Sequence, residues 1–390
     1  MCPSVFLVRE VGRPHATLGP MARELRLGRR DFLAVTTSAV ALGMQEDSAD
    51  SRPTTGFVRH DVAEWGVEGR GWEETERFYS RLPQRAKEKV RPVVWRLGQH
   101  TAGMAARFRT SATNLNFNVK LNLPDLDMVH MPATGVSGVD LYASDGAGWQ
   151  WVACGMPRTQ EYQLSVSGLR EGEREYLLYL PLYNGVESLT IDVPEGARFK
   201  RVLPRGEPPI VYYGTSIAQG ACASRPGMAF TNILHRRLDT PVLNLGFSGN
   251  GRMEAEVGAL IAEIEASCYV IDCLPNMGPE DVSARAGPLV RQLRAARPET
   301  PILLVEDRRM PSSVFLPARD AFHDKNQAAL RRAHEELAAE GVTDIHYLAD
   351  VPFLGTDGEG TVDASHPNDL GMMRYADALE TVLKPLLGAR

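Results

Sequence analysis

The chain has 390 residues, of which 43% are hydrophobic and 24% are charged. These are ordinary values for a globular protein, and the length is sufficient for two domains. Its 43 Lys and Arg residues against 49 Asp and Glu residues give a formal net charge of −6. This balance lacks the basic footprint that binding to nucleic acid or to an anionic membrane requires. Small or neutral polar partners are therefore favoured.

Residues 1–50 have the features of an export leader. Arg29 and Arg30 precede an uncharged run, residues 32–45, in the order of a cationic n-region and a short apolar h-region. The arginine pair resembles the twin-arginine export signal. The apolar run is shorter than the roughly 20 residues that a permanent membrane span needs. We therefore predict export to the periplasm or beyond, without stable membrane insertion; a solvent-exposed helical tail is the alternative.

Alternating runs in the next segment predict an antiparallel β-domain. Every odd position of residues 115–123 is apolar and every even one polar, which is the two-residue period of a half-buried strand. Similar runs, separated by turn residues, recur at residues 103–110, 139–143, 162–166, 176–182 and 189–193. Many short strands without intervening helices predict an antiparallel sandwich or jelly roll over residues 56–200.

Tryptophans, histidines and cysteines give weaker signals. All five tryptophans lie in this half, and for any one of them core packing is favoured over a sugar-stacking role. His60, His100 and His130 have no partner pattern, so we interpret them as ordinary surface or hydrogen-bonded residues. Cys268 and Cys273 would point to opposite faces of a strand and could not readily pair. We expect buried free thiols and leave the disulfide pattern open.

The pattern changes after a Pro- and Gly-rich stretch, residues 194–209, which we predict to be the domain junction. Short apolar runs, each followed by a longer amphipathic segment, occur at residues 210–213, 242–245, 269–274, 302–305 and 345–348. Alternating strands and helices give a parallel sheet with helices on both faces. Residues 208–388 are therefore predicted to form a three-layer α/β/α domain.

Ser216 is a candidate nucleophile at the end of the first of these strands. Gly214 allows a sharp exit from the strand, so Ser216 would stand at the carboxyl edge, where open α/β sheets bind ligands. A serine in this position is also common as a turn residue or a helix cap. Its interpretation therefore depends on its partners.

Possible partners follow the later strands. A Gly-rich turn, residues 244–251, could present a backbone N–H to an anion, and Asn276 follows the third strand; alone, each would be an ordinary turn. Near the C-terminus, Pro367 keeps the loop that carries Asp363 and His366 out of a helix. Their three-residue separation lets the carboxylate accept from Nδ1–H and leaves Nε2 free as a base.

Together these residues resemble the SGNH/GDSL hydrolase family. Its first block is similar to residues 214–217, its second to the turn that contains Gly249, its third to Asn276 and its last to residues 363–368. Two of the blocks differ from the usual motifs: Thr215 replaces an Asp in the first, and the third has the sequence LPNM where the family more commonly has Gly-x-Asn-Asp. The Gly-Val-Asp-Leu-Tyr run at residues 138–142 resembles the β-domain that precedes the hydrolase domain in one bacterial branch.

The resemblance implies serine ester hydrolysis. Ser216 would attack the carbonyl, His366 would take and return the proton, and Asp363 would hold the imidazole tautomer. The oxyanion would be bound by the backbone N–H groups of Ser216 and Gly249 and by the side-chain amide of Asn276. No metal or cofactor would be needed.

The expected substrate is an O-acetyl or other short-acyl ester on a carbohydrate, which suits export, a β-domain and an acidic surface. A lipase, lysophospholipase or thioesterase of the GDSL type is one alternative, and a non-catalytic sugar-binding protein is another. An α/β-hydrolase fold is disfavoured because Ala218 occupies the position of the elbow glycine and because Asp and His are close in sequence. The oligomeric state stays open.

Overall fold

The computed structural model describes residues 56–349 and 351–388. The predicted export leader, including Arg29 and Arg30, lies outside the described residues. Within the described residues, no helix combines the length and the apolar character needed to span a membrane.

The N-terminal half contains two antiparallel sheets. The strands are β1 Phe57–Asp61, β2 Ala105–Thr110, β3 Leu115–Leu121, β4 Asp140–Ser144, β5 Trp149–Cys154, β6 Glu161–Val166, β7 Arg174–Tyr179, β8 Val186–Pro194 and β9 Phe199–Arg201. Two short helices, α1 Pro92–Leu97 and α2 Ala133–Val136, connect them. The sheet orders are β1-β8-β3-β6 and β5-β4-β7-β2-β9. Both sheets contribute buried side chains to one core, among them Phe108, Phe117 and Ile191. This shared core confirms the predicted sandwich.

The C-terminal half contains a five-stranded parallel sheet of order β11-β10-β12-β13-β14. The strands are β10 Ile210–Gly214, β11 Val242–Gly246, β12 Cys268–Asp272, β13 Ile302–Val305 and β14 Ile345–Leu348. The helices are α3 Ser216–Gln219, α4 Phe230–Leu238, α5 Ala255–Ile261, α6 Pro279–Ala296, α7 Pro317–Ala339 and α8 Asp369–Gly388.

Helices cover both faces of this parallel sheet. Because successive strand residues point to opposite faces, Tyr213 and Ile271 pack with α5, α6 and α7, whereas Tyr212 and Val270 pack with α4 and α8. The predicted three-layer α/β/α arrangement is therefore confirmed. The carboxyl ends of β10, β11 and β12 lie side by side, so the loops that follow them meet at one edge.

A segment of the N-terminal half packs into the core of this α/β/α layer. Leu82, Val94 and Trp95 are buried in the same apolar cluster as α5 and the parallel strands. The fully buried Arg81 donates from Nη1 to the carbonyl oxygens of Asn244 at 3.0 Å and Gly246 at 2.8 Å. These carbonyls belong to β11, the edge strand, whose outer side would otherwise lack partners. Arg81 thus closes one edge of the sheet.

The GxDLY run joins the two halves through hydrogen bonds. The buried Asp140 carboxylate accepts from Arg225 Nη1 at 2.8 Å and from the backbone N–H of Gly227 at 2.7 Å. Its other oxygen accepts from Trp151 Nε1 at 2.8 Å. The Tyr142 hydroxyl accepts from Arg225 at 2.6 Å. Asp140 and Tyr142 of β4 therefore hold the loop that follows α3.

The expectations of buried tryptophans and of buried free thiols were met only in part. Trp65 and Trp95 are buried in apolar cores, as expected, whereas Trp151 is 52% exposed on the β-domain surface. Cys154, Cys222 and Cys273 are free thiols, and of these Cys222 and Cys273 are buried.

Candidate active site

Ser216 is the first residue of α3, directly after the carboxyl end of β10. Thr215 is extended, with φ −102° and ψ −159°, and its hydroxyl accepts from the Ile217 N–H at 3.3 Å. The threonine that replaces the usual Asp thus caps the short helix. The Ser216 side chain stands at the sheet edge on this capped turn.

Ser216, His366 and Asp363 form a continuous chain of hydrogen bonds. The Ser216 Oγ lies 2.8 Å from His366 Nε2, and His366 Nδ1 lies 2.8 Å from Asp363 Oδ2. An ionised carboxylate can only accept, so Nδ1 carries the proton and Nε2 is the acceptor for the serine hydroxyl. The structure therefore brings together the three side chains that the sequence placed on two distant loops.

Asp363 is held as a carboxylate by its own loop. Its Oδ1 accepts from the backbone N–H groups of His366 at 2.8 Å and Ser365 at 3.0 Å. Partial burial opposes ionisation, but the His366 N–H and imidazole and the Ser365 N–H outweigh it and lower the pKa of Asp363 to about 2. The carboxylate therefore stays charged at neutral pH and fixes the orientation of the imidazole.

Buried groups anchor the loop that carries this pair. Arg308, which is fully buried, donates from Nε to the Ser365 carbonyl oxygen at 3.2 Å and also contacts the Ser365 hydroxyl. On the other side, the Cys222 N–H donates to the Pro367 carbonyl oxygen at 2.8 Å. These bonds fix the loop immediately before and after His366, so the imidazole approaches Ser216 from a defined direction.

The predicted oxyanion residues converge on the same edge. A Cβ on Gly251 would lie 1.9 Å from the Gly214 carbonyl oxygen, so the Gly-rich turn closes directly onto the turn before Ser216. Asn276, in the 3-10 turn after β12, satisfies its amide when Oδ1 accepts from the N–H groups of Asn250 at 2.9 Å and Gly251 at 3.2 Å. In that orientation Oδ1 is committed to the turn, and the NH₂ group is the donor that the side chain retains.

Gly249 lies at the exposed tip of this turn with φ +68°, in the left-handed region that favours glycine. A neighbouring bond fixes the turn, since the Ser248 N–H donates to Gln219 Oε1 at 3.1 Å. Asn276 and the turn that carries Gly249 thus lie beside the turn that precedes Ser216. Their role as oxyanion donors stays a prediction.

Two further side chains border the triad without any signal in the sequence. His130, interpreted above as an ordinary surface or hydrogen-bonded residue, lies edge-on to His366 with ring centroids 5.5 Å apart. Ligand atoms of His130, Cys222 and His366 all lie within 4.8 Å of one another. His130 belongs to a tight turn of the β-domain, residues 128–131, so only the tertiary fold brings it here.

A groove of about 720 Å³ adjoins the site. It extends from Ser248 and Tyr183, whose hydroxyl donates to the Ser216 carbonyl oxygen at 3.1 Å, towards α1 and the β-domain. Apolar side chains line it, including Val93, Leu97 and Leu123, together with the acidic Asp125 and Asp127. A further cavity of about 860 Å³ lies near the amino ends of the parallel strands, away from the edge where such sheets bind ligands.

Comparisons with known proteins agree with this architecture. The model for the GDSL-like lipase/acylhydrolase family matches residues 207–384, and the GxDLY model, which describes the N-terminus of SGNH hydrolase-type esterases, matches residues 57–199. A search of curated proteins found no match.

Solved structures cover both halves at once. A Bacteroides ovatus protein described as a GDSL-like lipase is 31% identical, with a TM-score of 0.81 over 85% of this chain and 98% of its own. The salicylyl-acyltransferase SsfX3 from a tetracycline biosynthetic pathway is 19% identical, with a TM-score of 0.68 over 85% of this chain and 97% of its own.

A third structure, an acetyl xylan esterase from the rumen bacterium Butyrivibrio proteoclasticus, is 12% identical, with a TM-score of 0.53 over 85% of this chain and 99% of its own. The last two likenesses, at low identity, show the fold alone. The Bacteroides ovatus protein, in contrast, is 31% identical over 85% of this chain and 98% of its own. The chain therefore belongs to the GDSL-like lipase/acylhydrolase family of SGNH-type carboxylic ester hydrolases, in the branch with an N-terminal GxDLY domain.

Proposed function

We propose that the protein removes O-acetyl or other short acyl groups from a carbohydrate through an acyl-enzyme on Ser216. The observation that carries the proposal is the pair of 2.8 Å contacts that links Ser216 Oγ to His366 Nε2 and His366 Nδ1 to Asp363 Oδ2. This arrangement can deprotonate the serine as it attacks, because the acceptor nitrogen already faces its hydroxyl.

The reaction proceeds in two halves. Ser216 Oγ attacks the ester carbonyl carbon while its proton passes to His366 Nε2. The tetrahedral intermediate then expels the sugar alcohol, which takes that proton. A water, deprotonated in turn by His366, attacks the acyl-serine. The second tetrahedral intermediate expels Ser216 Oγ, which takes the proton back from His366, and the carboxylic acid leaves. Throughout, the Asp363 carboxylate stabilises the imidazolium without itself being protonated.

Charge on the intermediate develops on the former carbonyl oxygen. The N–H groups of Ser216 and Gly249 and the Asn276 NH₂ are the proposed donors, since the turns that carry them meet beside the nucleophile. Donors fixed before the reaction are more effective than water, because they need no reorganisation as the charge develops.

Three considerations favour a carbohydrate ester. The chain has a net charge of −6 and no basic footprint, which suits neutral polymers better than anionic lipid surfaces. The acetyl xylan esterase of B. proteoclasticus and a family two carbohydrate esterase of Cellvibrio japonicus share the fold. We also propose export through the leader that carries Arg29 and Arg30, which would bring the enzyme to polysaccharides outside the cytoplasm.

A panel of substrates tests the proposal. Purified protein is assayed on acetylated xylan and on aryl esters of increasing chain length, beside Ser216→Ala and the control Ser283→Ala on the exposed face of α6. We expect acetate release from xylan, a fall of about 10⁴–10⁶-fold in Ser216→Ala, and no change in Ser283→Ala. Turnover that survives in Ser216→Ala would refute the proposed nucleophile.

The apolar groove beside Ser248 favours a second candidate, a GDSL-type lipase or thioesterase that acts on longer acyl chains. Such an enzyme would show kcat/KM that rises with chain length and little release of acetate from xylan. A protein without turnover on every substrate would instead support a non-catalytic sugar-binding role.

A further inference from the structure

Three side chains with metal-binding atoms meet at the mouth of the site. His130 comes from the β-domain turn, Cys222 from the loop after α3, and His366 from the loop before α8. Their ligand atoms all lie within 4.8 Å of one another, and both imidazoles are half-buried whereas the thiol is buried. Neither the serine mechanism nor the fold requires this convergence.

The set and its spacing suit a tetrahedral cation of intermediate softness. Zinc binds imidazole nitrogen at about 2.0–2.1 Å and thiolate sulfur at about 2.3 Å, which puts neighbouring ligand atoms about 3.3–3.6 Å apart. Thiolate together with imidazole selects zinc-like metals over Mg²⁺ and Ca²⁺, which prefer oxygen ligands. Rotations of the His130 ring and the Cys222 thiol can close the remaining separation, which is at most about 1.5 Å.

We propose that Zn²⁺, or a cation of similar softness, binds His130, Cys222 and His366 and thereby inhibits the enzyme. The Cys222 thiol releases its proton to solvent as the metal–sulfur bond forms. The lone pair of His366 Nε2, which would otherwise take the Ser216 proton, is donated to the metal. The inhibitory consequence rests on the proposed serine mechanism, whereas the binding site itself does not.

Inhibition kinetics test the consequence. Zn²⁺ is titrated against hydrolysis of an aryl acetate by the full chain, and EDTA is then added. We expect inhibition that EDTA reverses. The zinc concentration for half-inhibition should rise by at least about tenfold in Cys222→Ser and in His130→Gln, since even outer-shell changes cost about 10–100-fold in metal affinity. Cys154→Ser, a control thiol on β5, should leave it unchanged.

A spectroscopic readout tests the site without hydrolysis. Cd²⁺ bound to a thiolate gives an ultraviolet charge-transfer band, and we expect this band in the wild type and also in Ser216→Ala. It should disappear in Cys222→Ser, weaken in His130→Gln and persist in Cys154→Ser. A wild type that lacks the band, or a band that persists in Cys222→Ser, overturns the proposed site even if a variant folds poorly.

The two proposals fail in different ways. A cadmium band in a protein without esterase activity would keep the metal site and reject the serine mechanism. Esterase activity that zinc stimulates, or zinc inhibition equal in the wild type and both ligand variants, would reject the inhibitory site and keep the esterase.

Discussion

The catalytic role of Asn276 can be tested without disturbing the fold, because the neighbouring turn keeps its backbone hydrogen bonds when the Asn276 side chain is removed. The N–H groups of Asn250 and Gly251 also donate to the Phe247 carbonyl oxygen, at 2.8 Å and 2.9 Å. We therefore expect Asn276→Ala to fold normally and to lower kcat by about 10²–10³-fold with little change in KM, as for the loss of one oxyanion donor. Steady-state kinetics on an aryl acetate measure both constants.

The unfolding midpoint is the control for this variant and should match that of the wild type. A rise in KM with unchanged kcat would show that Asn276 binds the ground state and the transition state equally. It would then not be an oxyanion donor.

At the residue scale, the sequence indicated the candidate site residues that have a local motif and missed the neighbouring side chains that have none. Ser216 follows a strand and a glycine, and Asp363 precedes His366 by three residues on a loop, so short-range spacing was sufficient to predict them. His130 and Cys222 have no partner within a few residues of sequence. His130 reaches His366 through the packing of the β-domain against the α/β/α layer, and Cys222 reaches it through the bond from its N–H to the Pro367 carbonyl oxygen. No local pattern encodes either contact.

β12 carries a buried acid whose protonation couples stability to pH. Asp272 at its carboxyl end accepts from the Tyr212 hydroxyl of β10 at 2.8 Å. Burial, only partly offset by that hydrogen bond, raises the pKa of Asp272 to about 7. Between the unfolded value of about 3.9 and that value the folded state holds more protons. This stabilisation is therefore complete below about pH 4 and is lost as pH rises towards 7.

Asp272→Asn should remove this dependence, since the amide oxygen can still accept from Tyr212. Urea unfolding at pH 5 and pH 7.5 measures the effect. We expect the wild type to lose more stability than the variant over this interval, by at most about 1.4 kcal/mol per pH unit. Equal losses in the two proteins would show that Asp272 is ionised in the folded state throughout.

Strands with a clear hydrophobic pattern were predicted from the sequence, and strands without one were missed. β13 and β14 were predicted with the observed bounds because each is a short apolar run between polar segments. β1, β5 and β9 were missed: all three lie at sheet edges, and their side chains are exposed or half-buried, so they lack a buried alternating face. β9 also lies within the Pro- and Gly-rich stretch where the sequence predicted only a junction.

At the scale of the whole molecule, the change from alternating to helical hydrophobic patterns along the chain predicted a β-domain followed by an α/β/α domain. It did not predict that residues of the N-terminal half complete the core of the C-terminal half. Leu82, Val94 and Trp95 lie in stretches too short for a period, so nothing in the sequence indicated that they complete the core beside α5. Nor did the sequence indicate the role of Arg81, which donates hydrogen bonds to two carbonyl oxygens more than 160 residues away along the chain.

These contacts predict that the α/β/α half cannot function alone. A fragment of residues 205–388 would lack Arg81, and each buried carbonyl left unpaired costs about 1–3 kcal/mol. It would also expose the apolar surface that Trp95 covers and leave Arg225 without Asp140. We expect this fragment to aggregate or unfold without cooperativity and to lack aryl acetate hydrolysis, whereas residues 56–388 keep full activity. Thermal unfolding and the hydrolysis assay compare the two, and a fragment that unfolds cooperatively with full activity would show that the N-terminal half is dispensable for the site.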